Sequence, residues 1–305
     1  MKLFNHQLLE FRVDYLMTAH TPKRVLLLGA TGMLGAYLAK SLPKHFTTSF
    51  PAPGNEQSFT LHDSNAWPPT RLDFSNSQNL DELLEQCKPD VIINCIAVTP
   101  HSNAAADSIE YIHINSLFPH LLARSARAFG CKLIHFSTDG VFSGKRGNYA
   151  EYDLPDPPDM YGRSKLLGEI SDGDCLTLRT TFYGLSSGNK GLLDWLITQR
   201  GGHVIGFKNY IFSGVSMGAL ASALVAIIGR PVFPGGLYHL GGPAMSKFDL
   251  LTMVSERFGL SITVEPVFAP VVNRTMDSSR FWEMIGQDMP QTVTMIDGIY
   301  RDRGI

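Results

Sequence analysis

The stretch "RVLLLGATGMLGAYLAKSL", residues 24–42, decides the fold. "RVLLLG" is a short continuous apolar run that ends in glycine, which suits a strand buried on both faces of a parallel sheet. "GATGMLG" follows, with Gly29, Gly32 and Gly35 three residues apart. "MLGAYLAKSL" then sets Leu34, Leu38 and Leu42 at helical spacing, and Pro43 closes the helix. Glycines keep such a turn tight, let backbone approach a pyrophosphate and let helix pack on strand. The helix N-terminus adds free N–H groups and the positive end of its dipole. Three glycines alone are a weak signal, and their place between strand and helix gives it force. The candidate phosphate-binding residues here are Gly29, Thr31, Gly32, Met33, Leu34 and Gly35.

Outward from this stretch the alternation continues. "FTTSF" reads as a second strand and "NLDELLEQC" as a helix with Asn79 or Asp81 near its cap. "DVIINCIAV", residues 90–98, reads as a buried strand, and "INSLFPHLLARSARAFG" as a helix stopped at Gly130. "CKLIHFST", "DMYGRSKLLGEI" and "CLTLRTTFYG" read as strand, helix and strand. Alternation at this spacing means right-handed crossovers and an α/β fold with a doubly wound parallel sheet. Farther on, "KGLLDWLITQRG", "SMGALASALVAIIG" and "SKFDLLTMVSERFGL" read as helices, the last capped by Ser246, and "GLYHLGG" as a short strand. The expected division is an extension over 1–22, a dinucleotide-binding domain over 23–184, and a mainly substrate-binding domain over 185–305. Segments near 215–242 return to the sheet. For the first sixteen residues the preferred reading is an extension before a start at Met17, and the alternative is a short ordered arm.

The chain has 305 residues, 44% hydrophobic and 18% charged, enough for a large core and a smaller second unit. A formal net charge of -2 argues against a general nucleic-acid binder. No stretch approaches the roughly 20 apolar residues of a spanning helix. Cys87, Cys95, Cys131 and Cys175 form no Cys-x-x-Cys pair, which fits reduced thiols in a cytoplasmic protein. The histidines lack metal-ligand spacing, so no metal is expected.

Further residues fit a dinucleotide. "RLDFSN" places Asp73 and Phe74 after an expected strand, suited to an adenine amino group and ring. Cys95, Ile96 and Ala97 end another strand with small residues, suited to close contact with a ribose. Plain strand-end packing is the alternative for both. "FTTSF" has no acid at its end to hold the ribose hydroxyls of NAD, so NADP(H) is favoured over NAD(H).

"YGRSK" sets Tyr161 and Lys165 four apart, on one helix face. A free tyrosine, with a pKa near ~10, shuttles protons poorly at neutral pH, and a nearby ammonium lowers that value. The pair is common by chance. With the glycine turn upstream and Thr138 at a strand end between them, it becomes specific.

Together "GATGMLG", "PDVIINCIA", "HINSLFPHLLA", "STDGVFSG", "YAEYDLPDPPDMYGRSKLLGE", "LRTTFYG", "GLYHLGG" and "RTMDSSRF" make the chain similar to extended short-chain dehydrogenases/reductases. Within that superfamily it resembles the dTDP-4-dehydrorhamnose reductase-like family of sugar-nucleotide reductases. The resemblance covers nearly everything after residue 23, and residues 137–169 carry its most specific part.

The resemblance implies an NAD(P)H-dependent 4-ketoreductase acting on a nucleotide-activated 6-deoxy sugar for polysaccharide or glycoconjugate synthesis. Thr138, Tyr161 and Lys165 take the places of the superfamily's triad, and Asn115 that of an asparagine holding the lysine through water. Tyr161 then protonates the nascent alkoxide, Lys165 lowers its pKa and binds the nicotinamide ribose, and Thr138 polarises the carbonyl. Asp139, Phe182 and Arg274 fall at positions implied to face the substrate. The family often has Tyr where this chain has Gly140, and Trp where it has Phe182, so the sugar is left open, as is a homodimer.

A dehydratase of the superfamily needs an acid where Gly140 stands, and an epimerase usually lacks the Thr-Asp pair. A non-catalytic NADP-binding subunit, like the regulatory subunit of methionine adenosyltransferase, is the alternative of a different class.

Overall fold

Alternate residues of the first strand, β1 (Arg24–Leu28), serve two separate cores. Val25 and Leu27 join one cluster with Leu38, Ile93 and Ile134, while Leu26 and Leu28 join another with Leu84, Ile92 and Phe118. That follows from the two-residue period of a strand, and it explains why the run is apolar throughout. The structure is a computed structural model and describes residues 22–50, 77–100, 107–186 and 191–303.

The main sheet also contains β2 (Thr47–Ser49), β3 (Val91–Asn94), β4 (Lys132–Thr138), β5 (Cys175–Thr180) and, from the second half of the chain, β10 (Gly236–Leu240). Its order is β10-β5-β4-β3-β1-β2, and every pairing is parallel. The order reverses at β1, so a crevice opens beyond the C-terminal ends of β1 and β3, where such sheets hold ligands. On one face lie α1 (Met33–Ser41) and α7 (Met217–Gly229), and α8 (Lys247–Phe258) joins the same core cluster from the second half of the chain. On the other lie α2 (Ser77–Cys87) and α4 (Phe118–Ala128). Burying one of these Leu, Ile or Phe side chains stabilises the fold by roughly 1.5–3 kcal/mol.

The helix α3 (Ser108–Glu110) runs through a π-helical turn, Tyr111–Leu117, into α4. Next comes α5 (Met160–Leu167), capped by Asp159, whose carboxylate accepts from Gly162 N–H at 2.8 Å. The second half adds α6 (Leu192–Thr198), α9 (Ser279–Ile285), α10 (Thr292–Asp302) and three small sheets. In these, β6 (Phe182–Tyr183) pairs with β9 (Val215–Ser216), and β7 (His203–Phe207) with β12 (Thr263–Val267). Finally β8 (Tyr210–Phe212) lies between β11 (Met245–Ser246) and β13 (Val272–Arg274). The larger core cluster is continuous from β1 into α8, α9 and α10.

Some expected elements differ. The strand expected over 90–98 stops at Asn94, because Ile96 N–H turns to the Asn94 side chain and the Val98 backbone pairs with the Asn115 side chain instead of a strand. The run "CLTLRTTFYG" is two strands, β5 and β6, since the chain leaves the main sheet after Thr180 to pair with β9. The helix α2 starts at Ser77, upstream of Asn79 and Asp81, so neither caps it. Ser246 does cap α8, in a reciprocal box with Asp249. Met17 lies outside the described residues.

Candidate active site

The glycine turn is shaped by three different constraints. Gly29 has φ +84°, and a Cβ there would sit 2.9 Å from the Cys95 carbonyl carbon. A Cβ on Gly35 would lie 2.0 Å from the Gly29 carbonyl oxygen, so α1 reaches the turn only through glycine. Gly32 is exposed, and its nearest neighbour to a Cβ is the Gly29 oxygen at 3.5 Å. Gly32 also caps α1 without a side-chain hydrogen bond, leaving the helix start to whatever enters the crevice. Thr31 is exposed and Met33 half-buried. Leu34 is a core residue at 5% exposure, so only its backbone faces the turn. Cys95 and Ile96 are half-buried and Ala97 exposed beside Gly29, whereas Asp73 and Phe74 lie outside the described residues.

The sheet face that carries Ile92, Leu133 and Cys175 turns polar toward its C-terminal end. The same alternation continues as Asn94 on β3, His135 and Ser137 on β4, and Thr177 and Arg179 on β5. α5 and the residues after it meet this polar end. Ser137 donates to Glu169 at 2.6 Å, and Arg179 holds both Glu169 oxygens at 2.8 Å. Arg179 also meets His239 Nε2 at 3.3 Å, and His239 Nδ1 lies 3.1 Å from the Tyr149 carbonyl. Buried polar groups are thus satisfied in a chain that anchors the strand end carrying Thr138.

Tyr161 and Lys165 project from α5 into this region. The Thr138 side chain neighbours the Tyr161 hydroxyl and draws its pKa down. Burial pushes the phenol up to about 12 against that draw, with Asp139, Asp159 and Tyr111 adding to the rise. Lys165 is buried, and burial pushes its amine down to about 8 while Glu169 and Cys95 act the other way. Its Nζ lies 3.4 Å from His135 Nε2. Enclosure, and not the Lys165 expected from the helical spacing, chiefly sets the Tyr161 phenol. Asn115 is buried in the π-helical turn that packs against α5. It exchanges two 2.9 Å bonds with the Val98 backbone and donates to Ser164 Oγ at 3.0 Å. Close approach makes this contact: a Cβ on Gly168 would lie 1.9 Å from the Asn115 carbonyl oxygen.

Thr138 Oγ1 accepts from Gly140 N–H at 3.0 Å and donates to Asp139 Oδ1 at 3.3 Å. A Cβ on Gly140 would stand 3.3 Å from Thr138 Oγ1 and 3.7 Å from the Tyr161 ring, so position 140 forms part of the wall beside both. Burial pushes the Asp139 carboxyl up, while Thr181, Arg274, Thr138 and Lys247 draw it back. Arg274 NH1 reaches the Tyr210 hydroxyl at 3.5 Å, and Lys247 Nζ lies 3.8 Å from the centre of the same ring. Arg274 Nε is buried with no protein acceptor. Phe182 is half-buried and packs toward the large core from β6. Sequence reading missed Lys247, Asn94, His135 and Glu169. For Asn94 and His135 a signal existed, polar letters at every second position of otherwise apolar strands. Among the described residues no cluster of metal-ligating side chains occurs, and no helix is long and apolar enough to cross a membrane.

The model of the RmlD substrate binding domain matches residues 23–280. The chain belongs to this family. The RmlD relative dTDP-4-dehydrorhamnose reductase of Escherichia coli is 30% identical over 245 residues, covering 76% of this chain and 77% of that one. The crystal structure of dTDP-4-dehydrorhamnose reductase from Bacillus anthracis, in complex with NADP, superposes with a TM-score of 0.77. It is 22% identical and covers 92% of this chain and 99% of that one. UDP-glucuronic acid 4-epimerase from Bacillus cereus, in complex with NAD, has a TM-score of 0.69 at 20% identity, covering 91% and 95%. At these identities the two structures establish the RmlD-like fold alone. The turn of this RmlD-family chain fits a dinucleotide on its own evidence: an open Gly32, an uncapped helix start and a backbone contact between Gly29 and Cys95 that excludes a side chain.

Proposed function

We propose that this chain uses NAD(P)H to reduce the 4-keto group of a nucleotide-activated 6-deoxy sugar in polysaccharide or glycoconjugate synthesis. The observation that carries the reading is the meeting of the Tyr161 and Thr138 hydroxyls at the ligand edge of the sheet. When bound, the dinucleotide supplies the hydride. Thr138 and Tyr161 hold the carbonyl oxygen, and Tyr161 gives that oxygen its proton as the carbonyl carbon gains the hydride. A phenol pushed up to about 12 is fully protonated at neutral pH, the form that reduction consumes. Lys165 stands one helical turn away as the cation facing the phenolate left behind. Residues 29–35 with residues 95–97 hold the dinucleotide, along with Asp73 and Phe74.

Arg274 and Lys247 bind the diphosphate of the sugar nucleotide, with Tyr210 between them, and Asp139 and Phe182 face the sugar. NADP(H) is favoured over NAD(H), since β2 ends in "TTS" without an acid to repel the extra phosphate. Gly140 offers no acid for dehydration.

The test is NADPH and NADH oxidation with a panel of dTDP-, UDP-, GDP- and CDP-linked 4-keto-6-deoxy sugars, with the new hydroxyl identified by NMR. Turnover with one member is expected. No turnover with any member, in protein that still binds NADPH, overturns the reading and leaves the non-catalytic subunit. Tighter binding of NADH than of NADPH overturns the cofactor preference.

A further inference from the structure

The buried contact between His135 and Lys165 has a hydrogen-bond sense that can be worked out from the chain behind it. Asn94 and His135 are register partners on β3 and β4, so their side chains lie together on one face. The Asn94 amide has a defined orientation, because Ile96 N–H donates to its Oδ1 at 3.1 Å. Its Nδ2 therefore faces His135 Nδ1, at 3.2 Å, as the donor. Nδ1 must accept, and a neutral imidazole that accepts at Nδ1 carries its hydrogen on Nε2. Nε2 is the nitrogen that faces Lys165 Nζ at 3.4 Å.

We propose that His135 is a positioning residue for Lys165: Asn94 locks the imidazole as the Nε2–H form, and that N–H can donate only to the lone pair of the uncharged lysine amine. An ammonium at the same place would set two donors against each other. The charged lysine is therefore driven off His135 toward the crevice, and the neutral lysine docks on it. Two properties support this. Burial, helped by Lys165 and His120, holds His135 well below its ordinary pKa, so the ring stays neutral. Burial pushes the Lys165 amine down to about 8, which brings both lysine forms within reach near neutrality. The other groups facing Lys165 are Glu169, beyond the end of α5, and Cys95, beyond the end of β3, and both favour the ammonium. Burial opposes them, and the Nε2–H of His135 acts in the same direction.

Only the catalytic consequence rests on the reductase reading, and the direct test needs no turnover. In the full-length protein with 15N-labelled histidine, long-range proton–nitrogen NMR should show His135 protonated at Nε2 and bare at Nδ1. A proton on Nδ1 overturns the proposal. Asn94→Asp places an acceptor opposite Nδ1, which should move the proton there and let Nε2 accept from the ammonium. The Lys165 titration, followed by NMR of 15N-lysine-labelled protein, should then move up by one pH unit or more. The alkaline limb of the kcat profile should follow it. A folded Asn94→Asp protein with an unmoved Lys165 titration also overturns the proposal. If that variant does not fold, the wild-type tautomer still decides.

Discussion

Glu169 and Arg179 form a two-bond ion pair, 2.8 Å at each contact, with side chains only 8% and 4% exposed. The pair joins the end of α5 to β5, and through Ser137 it reaches the residue before Thr138. Removing one partner of such a pair leaves a buried charge without compensation, at a cost of about 3–5 kcal/mol. Arg179→Met is therefore expected to lower unfolding free energy by that order in urea titrations. Glu169→Gln/Arg179→Met together should cost less than the sum of the singles, and additive losses would show that the pair is not coupled.

Acid should weaken the fold in a defined window. Burial, with Arg179 adding to it, holds His239 at about 4 against an ordinary 6.5. Above pH 6.5 both folded and unfolded chains keep this ring neutral, and it contributes no pH dependence. Between 6.5 and 4 the unfolded chain takes up the proton and the native one does not, so stability falls with pH. At about 1.4 kcal/mol per unit the loss reaches up to about 3 kcal/mol. The slope of unfolding free energy against pH should flatten in His239→Gln over the same window.

Two glycines of one turn should fail differently. Gly35→Ala brings a Cβ to 2.0 Å from the Gly29 oxygen, so thermal stability should drop, by roughly 1–3 kcal/mol or more. The Cβ of Gly32→Val meets nothing closer than 3.5 Å on an exposed turn, so the fold should survive while NADPH affinity falls about tenfold or more. Thermal melts and NADPH fluorescence titrations separate the two outcomes, and tight NADPH binding by Gly32→Val would remove the turn from the cofactor site.

Tyr161→Phe should reduce kcat by about 10²–10⁴ while NADPH binding stays nearly unchanged. Single-turnover absorbance measurements check it, and wild-type kcat in the variant would remove Tyr161 as proton donor.

Arg274→Gln and Lys247→Gln should each raise KM for the sugar nucleotide about tenfold, near 1.4 kcal/mol, with kcat less affected. Steady-state kinetics that show kcat alone falling would place these cations elsewhere in the mechanism.

The parallel sheet, its glycine turn and the positions of Thr138, Tyr161 and Lys165 were legible in the linear chain. Each is written in short-range spacing: a four-residue apolar run, three glycines, a four-residue helical interval. What those residues do to one another was not. Helical spacing brings Tyr161 near Lys165, yet the tyrosine pKa is set chiefly by enclosure. Asn115 was recognisable, and its partners, Val98 and Ser164, were not, because they come from two other segments.

The main-sheet alternation and the chemistry of the turn follow from the letters alone, since propensity, periodicity and glycine geometry act within a few residues. Which polar groups meet depends on the folded chain. Asn94 and His135 are 41 residues apart, His135 and Lys165 are 30 apart, and Asp139 faces Lys247 from the far side of the chain. Desolvation and hydrogen-bond direction depend on everything packed around a group, and neither exists until the sheet, α5 and β13 have closed on each other.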